Sequence, residues 1–402
     1  MPSNNDLEHR LLCACSIADN RLAIQRLLNE AAEPIDWEAV VNAAYGHGIT
    51  GLLCHNLLHV APELVPREIL HAGTVHLRQL ADRNRAGAAQ LLQVLDALAA
   101  AGIRAIPFKG PMLADSAYGD LQLRSFRDLD FLVPVANADA AIAVLNGLGF
   151  RRTTTLRPRQ WREFVRYAGQ DILHGPRLPV EPHWAFAPRT MAYDFDYAGL
   201  FARASQRSFE GHPVWRFSPE DELIILCVHG AKEQWPKLKW VADVAAFAGR
   251  QATLDWEAVV HRASDQGFAR IVRMALWIAE RLCGLALTER MRVWIKSDPR
   301  GAAVAEAIAE DFFGARPPQT TVYQLSRFHW ASRERWRDKV RYVWRTITQP
   351  RVQHFQCLRM PDALFALYWP FKLAHDYIAL PVWLMVKRPR AHGSKVVADE
   401  SS

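Results

Sequence analysis

The sequence lacks any CxxC pair: its six cysteines, Cys13, Cys15, Cys54, Cys227, Cys283 and Cys357, are scattered. Scattered thiols in a long chain argue against a disulfide framework and predict buried free thiols in a reducing compartment. No uninterrupted apolar run of about 18 residues occurs, so no spanning helix is expected. The start, MPSNNDLEHRLLCACSIADN, has no basic stretch followed by an apolar one, and no signal peptide is expected either. The expected location is therefore cytoplasmic. A Gly-x-x-x-x-Gly-Lys phosphate loop is missing. So are zinc-finger spacing, an RNP signature and a basic stripe interleaved with aromatics in the first half, and nucleic acid is not an expected partner.

What is present is a chain of 402 residues, 50% hydrophobic, with a net charge of +7. That length predicts two or three domains. The mild basicity favours phosphate-bearing ligands, anionic membrane surfaces or acidic partners.

The hydrophobic period divides the chain. Residues 1–101 read as an N-terminal helical region, with a long helix over about 75–101 carrying Leu77, Leu80, Leu91, Leu92, Leu95 and Leu98. Residues 102–186 read as an α/β core. IRAIPF and LDFLVPV are strand candidates, NADAAIAVLNGLGF is a helix, and QDILHG and LPVEPHW are further short strands. Residues 187–315 read as a helical domain, with Ser218 and Asp221 as a weak capping box. Residues 316–402 form a basic, aromatic-rich helical tail. Its apolar run near 360–390 is broken by Pro370, Lys372, Asp376 and Pro381, so it suits an interface rather than a span. The hexapeptide Asp-Trp-Glu-Ala-Val-Val occurs at 36–41 and again at 255–260. It predicts the same helical hairpin on either side of the core.

Chemistry concentrates in FKGPMLADSAYGDLQLRSFRDLDFLV, residues 108–133. Alternate residues of a strand share a face, so Asp128 and Asp130 project together while Leu129 and Phe131 point elsewhere. Two adjacent carboxylates repel, and burying them is costly without compensation. A divalent cation supplies it: Mg²⁺ prefers carboxylate oxygens and leaves room for substrate phosphates. Two such ions about 3.5–4 Å apart can clamp an in-line phosphoryl displacement. Lys109 and Gly110 lie between a strand and a helix start, where backbone N–H groups can meet an anion. Arg124 and Arg127 can neutralise a leaving pyrophosphate. Glu181 is the candidate third carboxylate, as metal ligand or base, with His183 on its strand face. His229 and Lys232, one helical turn apart, can reach a nucleotide from the helical domain. His183 and His229 are expected to support the site rather than react.

Lys109-Gly110, Tyr118, Arg124, Asp128-Leu129-Asp130 and Glu181-Pro182-His183-Trp184, with His229, Lys232, Trp240 and Asp243, resemble the uncharacterised bacterial nucleotidyltransferase family of the polymerase-beta-type superfamily. The likeness covers roughly residues 6–290. It implies an α+β fold in which a small mixed sheet carries the carboxylates between helical regions. It also implies a Mg²⁺-dependent transferase that moves an NMP from an NTP, ATP first among them, to an acceptor hydroxyl with release of pyrophosphate. The acceptor is a small molecule or a protein. This sequence departs from the superfamily in having Lys-Gly-Pro where Gly-Ser or Gly-Gly is usual. The alternative function is a catalytically inactive nucleotide- or partner-binding module. In either case residues 360–390 offer a peripheral contact with the inner membrane face.

Overall fold

The computed structural model describes residues 4–31, 34–314 and 326–379. The fold is α+β: one small mixed sheet held among helices. Its strands are β1 (Ile106–Pro107), β2 (Leu129–Leu132), β3 (Arg151–Arg152), β4 (Leu173–His174) and β5 (Val180–His183). They lie in the order β1-β2-β5-β4-β3. Only β2 and β5 run parallel. All of β2 is buried, and its alternation divides two cores. Leu129 and Phe131 pack with Leu91, Leu98, Leu145 and Val180. Leu132 joins the larger core, which unites the first helices with those after residue 218.

The long helix runs over Arg67–Ala100. It starts earlier than its leucine spacing suggests. Gly73, Thr74 and Val75 are poor helix formers, yet packing overrides propensity, because Gly73 sits against Cys54 and Leu58. The helix also approaches the sheet closely at Gly87, where a methyl group would come within 2.8 Å of Phe126 and Leu178. Two buried amides on it clamp the loops leading into the central strands. Asn84 donates to the carbonyls of Leu121 and Arg124, before β2. Gln90 donates to Leu178 O and accepts from Leu178 N–H, before β5.

The two Asp-Trp-Glu-Ala-Val-Val segments fold alike. Asp36 caps the helix Trp37–His47 by accepting from Ala39 N–H at 2.9 Å, and Asp255 caps Trp256–Gln266 by accepting from Ala258 N–H at 3.0 Å. Both helices end on a left-handed glycine, Gly48 and Gly267, and a second helix follows each.

Two local expectations need correction. The stretch read as helical after residue 187 contains a hairpin, β6 (Ser205–Phe209) and β7 (His212–Arg216). Its turn is Glu210-Gly211, both at positive φ, where Asn-Gly would have announced the hairpin. Cys357 is exposed rather than buried. The tail packs through Phe355, Met360, Phe365 and Tyr368 against Tyr167, whereas Trp336 and Trp344 face solvent. Of the 360–390 segment, residues 380–390 lie outside the described residues. Among those described, no helix is long and apolar enough to cross a membrane.

Candidate active site

Parallel pairing of β2 with β5 sets Asp130 directly beside Glu181 and Leu132 beside His183. Asp128, just before β2, lies on the same side as Asp130. The side opposite is filled by Leu129 and Phe131, so the acids turn toward the helices. Asp128, Asp130 and Glu181 line one cavity of about 290 Å³ together with Lys109, Gly110, Arg124, His229 and Lys232. Phe126, Gln170, Glu233, Lys239 and Trp240 complete its walls.

Asp130 is buried and engaged by two donors. Lys109 Nζ lies 3.3 Å from its Oδ1, and His183 Nε2 donates to the same oxygen at 2.9 Å. Burial alone would raise its pKa, but Lys109 and His183 outweigh that and hold it below the usual carboxylate range. Glu181 has the opposite balance. Burial, then the charges of Asp130 and Asp128, push it up to about 7. Its Oε2 accepts from Gln170 Nε2 at 2.6 Å. Asp128 is raised as well, by burial and by Asp130. Burial and mutual repulsion thus oppose charging all three acids at once.

The cations of the cavity are perturbed in the complementary sense. Burial and Lys109 lower the Lys232 ammonium. Burial and Arg124 lower Lys239 to about 8. His229 packs edge-on against Trp240 and is held neutral, because burial and the surrounding lysines all disfavour its charge.

Lys109 has φ 54° and ψ −147°, a backbone region that is almost exclusively glycine's. Such a conformation costs about 1–3 kcal/mol and persists only where surroundings enforce it. Here Phe108 N–H donates to Asp130 O at 3.1 Å, extending the β1–β2 pairing to the edge of the turn. The next residue, Gly110, also has positive φ and opens the short helix Gly110–Leu113.

Not every site candidate is free to meet a ligand. Arg124 reaches the cavity wall, but its guanidinium makes a bidentate pair with Asp243, at 2.8 and 2.9 Å, and both side chains are buried. Tyr118 donates to the same carboxylate at 2.9 Å. This network ties the loop before β2 to the helix Leu238–Arg250. Arg127 is not in the cavity wall. It is exposed and lines an adjoining space instead. Lys239 and Gln170 escape sequence reasoning: neither belongs to a motif, and each arrives from a separate element.

The donor set suits a hard divalent cation. Oxygens of Asp130 and Glu181 lie with His183 Nε2 within 4.8 Å of one another, and Asp128 adds a third carboxylate to the same cavity. His183 Nε2 already donates to Asp130, a contact that fixes the direction of that carboxylate.

Among curated proteins, none matches the chain. Among solved structures, the chain is similar to the antibiotic-resistance factor ANT(2'')-Ia in solution, at 16% identity. That likeness covers 45% of this chain and 92% of the other, with a TM-score of 0.31. The pattern of a family described as uncharacterised nucleotidyltransferase matches residues 33–284, more than half of the chain and all of the cavity described above, and the chain belongs to that family.

Proposed function

We propose that the protein is a Mg²⁺-dependent nucleotidyltransferase that moves an NMP from an NTP, with ATP the first candidate, to an acceptor hydroxyl. One observation carries this reading: Asp128, Asp130 and Glu181 share a lysine-lined cavity, and burial together with their mutual repulsion pushes two of the three toward protonation. Asp128 and Asp130 would hold the metal, which supplies charge neutralisation at the α-phosphate, and Glu181 would either complete the metal site or take the acceptor's proton. Lys109, Lys232 and the Gly110 backbone would hold the triphosphate. The acceptor oxygen bonds to the α-phosphorus as the bridging bond to the β-phosphate breaks. Pyrophosphate leaves with that electron pair, and the hydroxyl proton passes to Glu181 as base, or to solvent where Glu181 completes the metal site. Catalysis then rests on positioning and electrostatics. Arg124 contributes by fixing the loop before β2 through Asp243 rather than by touching phosphate.

The test is pyrophosphate release from each NTP in the presence of cell extract, with and without Mg²⁺. Wild-type release that survives in Asp128→Asn or Asp130→Asn would refute the assignment.

A second reading is a nucleotide-binding module without turnover. It is favoured by the ammonium of Lys109 sitting where a metal would neutralise Asp130. Calorimetry with NTP separates the readings, since binding without pyrophosphate release supports the module. A peripheral membrane contact is proposed for the tail on the exposure of Trp369, Leu373 and Ile378. Co-sedimentation with anionic vesicles tests it, and binding that does not depend on salt would count against it.

A further inference from the structure

A second cavity, of about 390 Å³, adjoins the first, and Asp128 and Lys239 stand in the walls of both. Its walls come from four separate parts of the fold. The turn around Gly48 brings Tyr45, and the long helix brings Gln79 and Arg83. The loop before β2 brings Ser125 and Arg127, and the segment opening the helix Leu238–Arg250 brings Lys237 and Lys239.

The charge is one-sided. Arg83, Arg127, Lys237 and Lys239 face the space, and Asp128 is the one acidic residue in the wall. Among the described residues, none of the four cations makes an ion pair. The nearest polar partner of Arg127 is the Tyr45 hydroxyl at 3.4 Å. The helix carrying Lys237 and Lys239 brings no carboxylate to its first turn to balance them. Like charges gathered around a concave surface repel one another and concentrate counter-ions. The hydroxyls of Tyr45, Thr50 and Ser125 and the Gln79 amide add hydrogen-bonding groups suited to a polar ligand.

Position says which ligand. In-line displacement requires the attacking oxygen to approach opposite the leaving pyrophosphate. If the triphosphate lies against Lys109 and Lys232, the acceptor comes from another side of the carboxylates. The second cavity opens there, at Asp128. We propose that it is the acceptor site and that the acceptor carries an anionic group, a phosphate or a carboxylate, beside its reacting hydroxyl. This inference rests on the transferase reading above. A polycationic acceptor such as an amino sugar would meet repulsion from four side chains.

The test is calorimetric titration of the full-length chain with inorganic phosphate, run in Mg²⁺ and saturating α,β-methylene-ATP so that the first cavity is filled. Wild type is expected to bind phosphate, and the Arg83→Ala/Lys237→Ala double variant to bind it about tenfold more weakly or worse. Its affinity for the ATP analogue should change less than twofold. Both side chains are exposed, so folding should survive, which a melting curve checks. Equal phosphate affinity in the two proteins overturns the inference. So does loss of analogue binding in the double variant, which would make the cavity the nucleotide's. Failure of the transferase reading shows separately, as a wild type that binds no Mg²⁺-nucleotide or binds it without releasing pyrophosphate. Phosphate is then titrated alone, and the same comparison decides whether the cavity holds an anion.

Discussion

Two buried carboxylates in this protein have nearly the same neighbours and opposite prospects. Asp130 meets Lys109 and His183. Asp376, in the tail, meets Lys372 at 2.7 Å, His354 at 3.0 Å and His375 at 2.8 Å. In both, burial alone would raise the carboxyl pKa, and the donors outweigh it. The difference lies around them. Asp130 has Asp128 and Glu181 beside it and a cavity in front, so its cluster sets mutually repelling carboxylates around a space that a cation can enter. Asp376 has three donors to itself. Moreover, His354 Nδ1 accepts from Arg351 N–H at 2.9 Å, which puts the ring proton on the Nε2 that faces Asp376. No lone pair remains there for a metal. Proximity of His and Asp groups alone does not distinguish the clusters; the balance of donors and acceptors does.

The comparison breaks first at Asp130. Asp130→Asn should lower Mg²⁺-dependent transfer by roughly 10⁴-fold, about 5.5 kcal/mol of transition-state stabilisation. Asp376→Ala should leave turnover per folded molecule unchanged. Its cost falls on stability, because Lys372 is then left buried without its partner. A loss of about 3–5 kcal/mol is expected for one broken member of such a pair, read as a lower melting temperature. If the two variants exchanged phenotypes, the assignment of the clusters would be reversed.

Glu222 sharpens the comparison as a buried acid with still fewer donors. Ser116 donates to it at 3.2 Å, and the nearby Arg216 is already paired with Asp115. Burial dominates and raises its pKa from 4.5 to about 7. A carboxyl raised in the folded state contributes its full share of stability below the unfolded pKa and loses it as pH rises through the folded one. Glu222→Gln should therefore match wild type near pH 4.5 and become the more stable protein as pH rises to about 7 and beyond. The gap should approach about 3 kcal/mol, visible in melting temperatures taken at pH 5 and pH 8. A gap that is constant with pH would mean that Glu222 is not the titrating group.

The sequence makes some of this legible and hides the rest for physical reasons. Strand alternation alone puts Asp128 with Asp130 and Glu181 with His183, because a period of two needs no tertiary information. The caps at Asp36 and Asp255 and the glycines that end both helices are equally local. The pairing of Arg124 with Asp243 is not, since it spans 119 positions and turns a candidate phosphate ligand into an internal brace. Arg127, three residues on, points into a different cavity for reasons of loop path that no motif records. Lys239 and Gln170 join the walls only because separate elements converge. The hairpin after residue 204 escapes because Glu210 takes a positive φ that its residue type does not advertise.

The smallest predicted effect concerns the turn that makes the Asp130 cluster unlike its counterpart. Lys109 holds a conformation that favours glycine, while its ammonium supplies part of the charge that Asp130 needs. Lys109→Gly removes both the strain and the charge, and Mg²⁺ decides which matters. Without metal, Asp130 is left against Asp128 and Glu181 with His183 alone, and the variant should melt below wild type. With Mg²⁺ at millimolar concentration, the metal replaces the lost charge and no longer competes with an ammonium for Asp130. Release of strain then remains, worth about 1 kcal/mol, and the variant should melt at or slightly above wild type. The measurement is a pair of melting curves for each protein, with EDTA and with Mg²⁺. A variant equally destabilised in both would mean that no cation takes the place of the lysine, and Asp130 would then belong to the same class as Asp376.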